Sequence, residues 1–162
     1  MHKRMRFFLG ALSLLAAGAQ AQPPAADAEL SRGRYLVATS GCNDCHTAGY
    51  MQNDGQVPEA EWLTGDSTGW QGPWGTTYAA NLRLLFQQID EKTWLARARQ
   101  AMRPPMPSPS LRAMSDAGLR AIYRYVRSLG AQGQLAPAHV PPGGKAKTPY
   151  FDFTPKNLPA GP

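Results

Sequence analysis

Cys42-Asn43-Asp44-Cys45-His46 is the stretch of this 162-residue chain with the plainest chemistry. Two thiols at that spacing can each add to one vinyl group of a haem, and the adjoining imidazole then reaches the iron from the proximal side. Other uses of the pair fit less well. A redox-active Cys-x-x-Cys normally stands where a strand of a sheet meets a helix, and no strand pattern precedes Cys42. Zinc needs about four ligands, and Cys42, Cys45 and His46 supply three in a crowded run. A disulfide here would close only a tiny loop. The motif implies one covalent haem c.

A six-coordinate iron needs a second axial ligand from the far side. Met51 lies too near the attachment point, and Met114 sits at the lip of the last helix, where it reads as packing. Met106 stands between Pro105 and Pro107, and the prolines predict an extended backbone over residues 103–107. That suits a weak ligand that must stay presented to a metal. Met102, flanking the same segment, and His139, in the tail, stand as alternatives. A thioether ligand raises the reduction potential relative to a second nitrogen.

Helices must position these groups. Asp27 or Ser31 caps a first helix running to about Ala38, with Leu30, Tyr35, Leu36 and Val37 as its apolar face. Gly33 inside it costs about 1 kcal/mol relative to Ala, which makes sense where another helix crosses closely. Shorter helices are expected over residues 80–87 and 93–101. Ser115 caps the strongest helix, in which Leu119, Ile122, Tyr123, Val126 and Leu129 recur at three and four residues, and Gly130 ends it. Residues 47–81 read as a long ordered loop with one helical turn near residues 58–63. Residues 131–162, rich in proline and glycine, read as a tail that Tyr150, Phe151 and Phe153 could pin to the domain.

The chain opens with Lys3, Arg4 and Arg6, an apolar run over residues 7–19, and Ala19-Gln20-Ala21. That is the pattern of a secretory signal peptide cleaved after Ala21, and its apolar run is short of the ~20 residues of a membrane span. Removing residues 1–21 lowers the formal charge from +6 to +3 (14 Lys plus Arg against 11 Asp plus Glu). The remaining cations are scattered, so nucleic-acid binding, which needs phosphate neutralisation, finds no support. The expected organisation is a signal peptide (1–21), a flexible lead (22–27), a haem domain (28–130) and the tail (131–162), located in the periplasm with no membrane span after cleavage.

Several of these residues together resemble the small monohaem helical cytochromes c. They are Gly33-Arg34-Tyr35, the Cys42–His46 motif, Pro104-Pro105-Met106-Pro107, Met114-Ser115-Asp116, and the run from Ala121 to Leu129. The resemblance implies an all-α cytochrome c fold. Its first and last helices cross at Gly33 and Tyr125, and its loops wrap around one haem. It implies that Met106, just before the last helix, is the ligand methionine. It also implies that a proline carbonyl, here that of Pro73, accepts the proton of the histidine's other nitrogen. Gly72-Pro73-Trp74-Gly75-Thr76 with Asn81-Leu82 is similar to the subgroup serving periplasmic dehydrogenases. The long loop over residues 51–71, Ser108-Pro109-Ser110 and Gly118 depart from that subgroup.

The function expected is single-electron transfer rather than catalysis. A periplasmic dehydrogenase or other donor would supply the electron, and a cytochrome or terminal oxidase would accept it. Two other readings compete: a haem enzyme or gas sensor with an open sixth position, and an electron-relay subunit assembled within a dehydrogenase complex.

Overall fold

A computed structural model describes residues 25–157, so the expected signal peptide and residues 22–24 of the lead lie outside the described residues. Among the described residues, six α-helices form the frame: α1 (Ala25–Thr39), α2 (Cys42–His46), α3 (Leu82–Gln88), α4 (Glu91–Ala98), α5 (Ser108–Ala113) and α6 (Asp116–Ser128). α1 begins at Ala25, so the last three residues of the expected lead are helical. None of the described helices is long and apolar enough to cross a membrane.

α1 and α6 cross at the point the small residue predicts. A Cβ built on Gly33 would lie 2.1 Å from the Ala121 carbonyl oxygen and 2.6 Å from Tyr125 Cβ. Only a residue without a side chain lets the two backbones approach this closely. Gly33 and Val37 are the buried positions of α1, one helical turn apart. Tyr35, between them in sequence, points the other way and is 56% exposed, with Arg32 over its ring. It is therefore not part of the apolar face expected of it.

Of the apolar face read from the periodicity of α6, Leu119, Ile122 and Val126 are buried and Tyr123 and Leu129 half-buried, and Tyr125 is buried beside them. Ser115 caps it by accepting from the Gly118 amide, which satisfies one of the free donors of its first turn. The Tyr125 hydroxyl donates to Glu59 at 2.7 Å, and Arg34 pairs with the same carboxylate. Asn81 and Asp90 cap α3 and α4 in the same way as Ser115. Arg83 is buried with no carboxylate partner among the described residues; its guanidinium donates to the carbonyls of Ala60, Leu129 and Gly130. It thus ties the loop before the sheet to the end of α6, where the carbonyl-rich helix terminus favours a cation.

The fold is predominantly helical, with two additions that the sequence reading lacked. β1 (Gly69–Gly72) and β2 (Gly75–Tyr78) form an antiparallel hairpin, and β3 (Tyr150–Asp152) pairs in parallel with β1, giving the order β2-β1-β3. α5 is a second addition; its Pro109 lies in the first turn, where a missing amide hydrogen costs nothing. The loop between α2 and β1 holds the expected turn as a 3-10 helix over Glu59–Glu61.

Candidate functional site: a haem-binding cavity

The Cys42–His46 motif folds as α2, entered through Gly41 in the left-handed conformation with φ of 72°. Thr47 fastens it to the following loop. Its hydroxyl donates to Asn43 Oδ1 and accepts from the Leu63 amide, both at 2.8 Å, and the Gly65 amide donates to the His46 carbonyl. These buried bonds hold the motif rigid against Leu63.

Cys42, Cys45 and His46 face one cavity of about 450 Å³, within the size range of cofactor sites. Leu82, Leu85 and Trp94 supply apolar lining, Trp70, Thr77 and Tyr78 stand on the sheet side, and Met102 and Met106 belong to the segment before α5. The arrangement fits a haem. Both thiols are free, the walls are mostly apolar, and the buried hydroxyl of Thr77 has no hydrogen-bond partner among the described residues. Burial pushes the Cys42 thiol up to about 11, with the Asp44 charge acting in the same direction, and burial raises Cys45 as well. The pair therefore stays in the neutral thiol form, which is slow to exchange with disulfides.

His46 Nδ1 donates to the Ala80 carbonyl at 2.7 Å, which places the lone pair on Nε2. Burial disfavours the imidazolium, outweighing the opposing hydrogen bond to Ala80, so the ring is neutral and able to bind a metal. The acceptor is therefore Ala80, not Pro73. Pro73 occupies the exposed turn between β1 and β2. The chain must return along β2 before a carbonyl meets the imidazole.

Residues 103–107 form a turn rather than the extended run expected. Among residues 104–107 only Met106 retains a backbone N–H, and it donates to the Arg103 carbonyl while its own carbonyl accepts from Ser108. The Ser108 hydroxyl accepts from the Met102 amide at 2.8 Å, so both methionines are anchored to the start of α5. Arg99 fixes the far end of that helix by donating to the Arg112 and Met114 carbonyls and pairing with Asp116. Met51 is exposed. His139 lies outside the cavity, with Nε2 donating to the Trp74 carbonyl at 3.0 Å.

The cytochrome c family profile matches residues 30–130. The chain belongs to the cytochrome c family. Its spacing of Cys42, Cys45 and His46 is that of a covalent haem c attachment motif. This cytochrome is 30% identical over 134 residues to the cytochrome c subunits of quinone alcohol dehydrogenases from Gluconacetobacter polyoxogenes and Komagataeibacter europaeus. The match covers 75% of this chain and 26% of theirs. It is also 29% identical over 123 residues to one of the subunits of nicotinate dehydrogenase from Pseudomonas putida, covering 69% of this chain and 10% of that protein. The chain thus spans about a quarter or less of the curated relatives it matches. No solved structure matches it significantly.

Sequence reasoning missed Ala80, whose part is played by a backbone carbonyl that leaves no trace in residue type. It also missed Trp70, Thr77 and Tyr78 as cavity wall. The signal available was Trp70 with Tyr78 on either side of a Gly-Pro-Trp-Gly turn, a hairpin hint that the glycine-rich composition obscured.

Proposed function

We propose that this cytochrome is the electron-relay part of a periplasmic dehydrogenase system, taking one electron at a time from the dehydrogenase and passing it to another cytochrome or a terminal oxidase. The observation that carries this reading is the convergence of two thiols, a neutral buried imidazole and a thioether side chain on one apolar cavity. The likeness to subunits of dehydrogenases favours an assembled relay over a freely diffusing carrier. Cys42 and Cys45 would hold the haem by thioether bonds, His46 would bind its iron, and Met106 would be the sixth ligand. When bound, the haem supplies an iron that alternates between ferrous and ferric states. The protein contributes fixed ligands, a neutral His46 oriented by Ala80, and low-dielectric walls, all of which set the potential. The domain boundaries proposed are those of the sequence: export by residues 1–21 and a haem domain over residues 28–130.

The experiment is a pair of substitutions in protein matured where haem c is attached. Met106→Ala should keep the haem covalently bound, abolish the thioether-to-iron absorption at the red end of the visible spectrum, and lower the midpoint potential. Met102→Ala should leave all three unchanged. The opposite pattern would move the ligand to Met102. Retention of that band in both variants would exclude Met106 and Met102 as the ligand, its absence from wild type would refute thioether ligation, and wild-type protein without covalent haem would refute the reading as a whole.

A further inference from the structure

The segment after α6 lies beyond the part of the chain that the family profile matches, yet it packs on the β1–β2 hairpin, whose Trp70, Thr77 and Tyr78 line the haem cavity. It leaves α6 at Gly130 and is first held by Asn81, whose Nδ2 donates to the Gln132 and Gln134 carbonyls at 2.7 and 3.1 Å. Val140 then exchanges two backbone hydrogen bonds with Thr76 of β2, at 2.8 and 3.0 Å. The approach there is so close that a Cβ on Gly75, whose φ is 91°, would lie 2.2 Å from the Val140 carbonyl oxygen. The Thr148 hydroxyl donates to the Tyr78 hydroxyl at 3.0 Å. β3 follows, and the Phe153 amide donates to the Gln71 carbonyl at 2.7 Å. Phe151 and Phe153 pack on Trp70 in tilted pairs, with ring centroids 5.1 and 5.4 Å away and interplanar angles of 40° and 52°.

Trp70 and Tyr78 are the two aromatic side chains that the hairpin gives to the cavity. This segment braces both: Trp70 through the rings of Phe151 and Phe153, its only aromatic partners among the described residues, and Tyr78 through the Thr148 hydroxyl. A two-stranded hairpin is marginal by itself, and a wall that flexes admits water. Water beside a haem raises the local dielectric and favours the more highly charged oxidised state, which lowers the potential.

We propose that residues 131–157 are a strap that positions Trp70 and Tyr78 as the water-excluding wall of the cofactor cavity, and so help to set the reduction potential. The inference rests on the haem reading above. The two phenyl rings of the strap are 41% and 44% exposed, which is a cost in water that packing on Trp70 offsets. Aromatic pairs of this kind contribute about 0.5–1.5 kcal/mol beyond their buried area.

The test uses the full chain with haem attached. In Phe151→Ala/Phe153→Ala, covalent haem and far-UV helicity should match wild type. The midpoint potential should fall, added imidazole should reach ferric iron severalfold faster, and protease should cleave the segment over residues 131–157 sooner. Phe151→Tyr/Phe153→Tyr, which keeps the rings, should restore all three. Thr148→Val, which removes only the hydroxyl on Tyr78, should shift the potential in the same direction by less, and serves if the double variant fails to fold. A potential and imidazole rate equal to wild type in a variant whose strap is protease-labile would overturn the proposal. That outcome leaves covalent haem intact, so it is distinct from failure of the haem reading itself.

Discussion

At the level of single residues, the attachment of the cofactor depends on the two thiols of the motif. Cys42→Ser should leave one thioether bond, so haem would be retained less completely through acid-acetone extraction, and the reduced pyridine spectrum would shift towards that of a single-thioether haem. Retention and spectrum equal to wild type would show that Cys42 makes no bond. Glu59 gives a pH-dependent counterpart. Burial alone would raise its carboxyl, but the hydrogen bonds from Tyr125 and Arg34 outweigh that and hold it below the ordinary carboxylate value of 4.5. Its contribution is therefore present above that value and is lost as the pH falls through the lower folded value. Tyr125 is shifted the other way, raised first by burial and then by Glu59. Its share is full below the ordinary value of 10.0 and fades as the pH rises through the folded value. Urea unfolding of Glu59→Gln between about pH 3 and 7 should show a flatter acid limb than wild type. Parallel acid limbs would remove Glu59 from the account.

The elements add a steric condition. Gly33→Ala places a methyl against the backbone of α6, where no flexible side chain can yield. Overpacking of this sort costs about 1–3 kcal/mol, and a backbone clash belongs at the upper end. Thermal unfolding should show the loss, while Arg32→Ala on the exposed face of α1 should change little. Gly33, the α6 stripe and the Cys42–His46 motif were legible because each is local: a period, a cap or a spacing carries the information. The hairpin and β3 were not, because β3 has only three residues in a proline-rich run and its partner strand is far away in sequence. The same distance hid the histidine's acceptor. The reading of Pro73 relied on a family pattern, whereas here the β1–β2 turn carries that proline outward and brings Ala80 to the ring. Prolines around Met106 indicated stiffness correctly but not the turn, since the single remaining amide decided how the backbone closed.

Across the whole molecule, two levels of cohesion are visible. The α1–α6 crossing buries Val37, Leu119 and Val126 completely, whereas most of residues 131–157 keep their side chains in water. Amide hydrogen exchange should therefore be slowest at the centre of α6 and fastest in the strap outside its β3 and Val140 bonds. Equal protection in both would mean that the chain opens only as one unit. Arg83 adds a different kind of joint. Because its partners are carbonyl dipoles rather than an ionised side chain, and because it is buried away from the solvent, mobile ions have little to screen. Raising sodium chloride should weaken the exposed Arg34–Glu59 and Arg120–Glu91 pairs while the end of α6 stays fastened. In brine, then, this molecule would keep its seams and lose only its surface stitching.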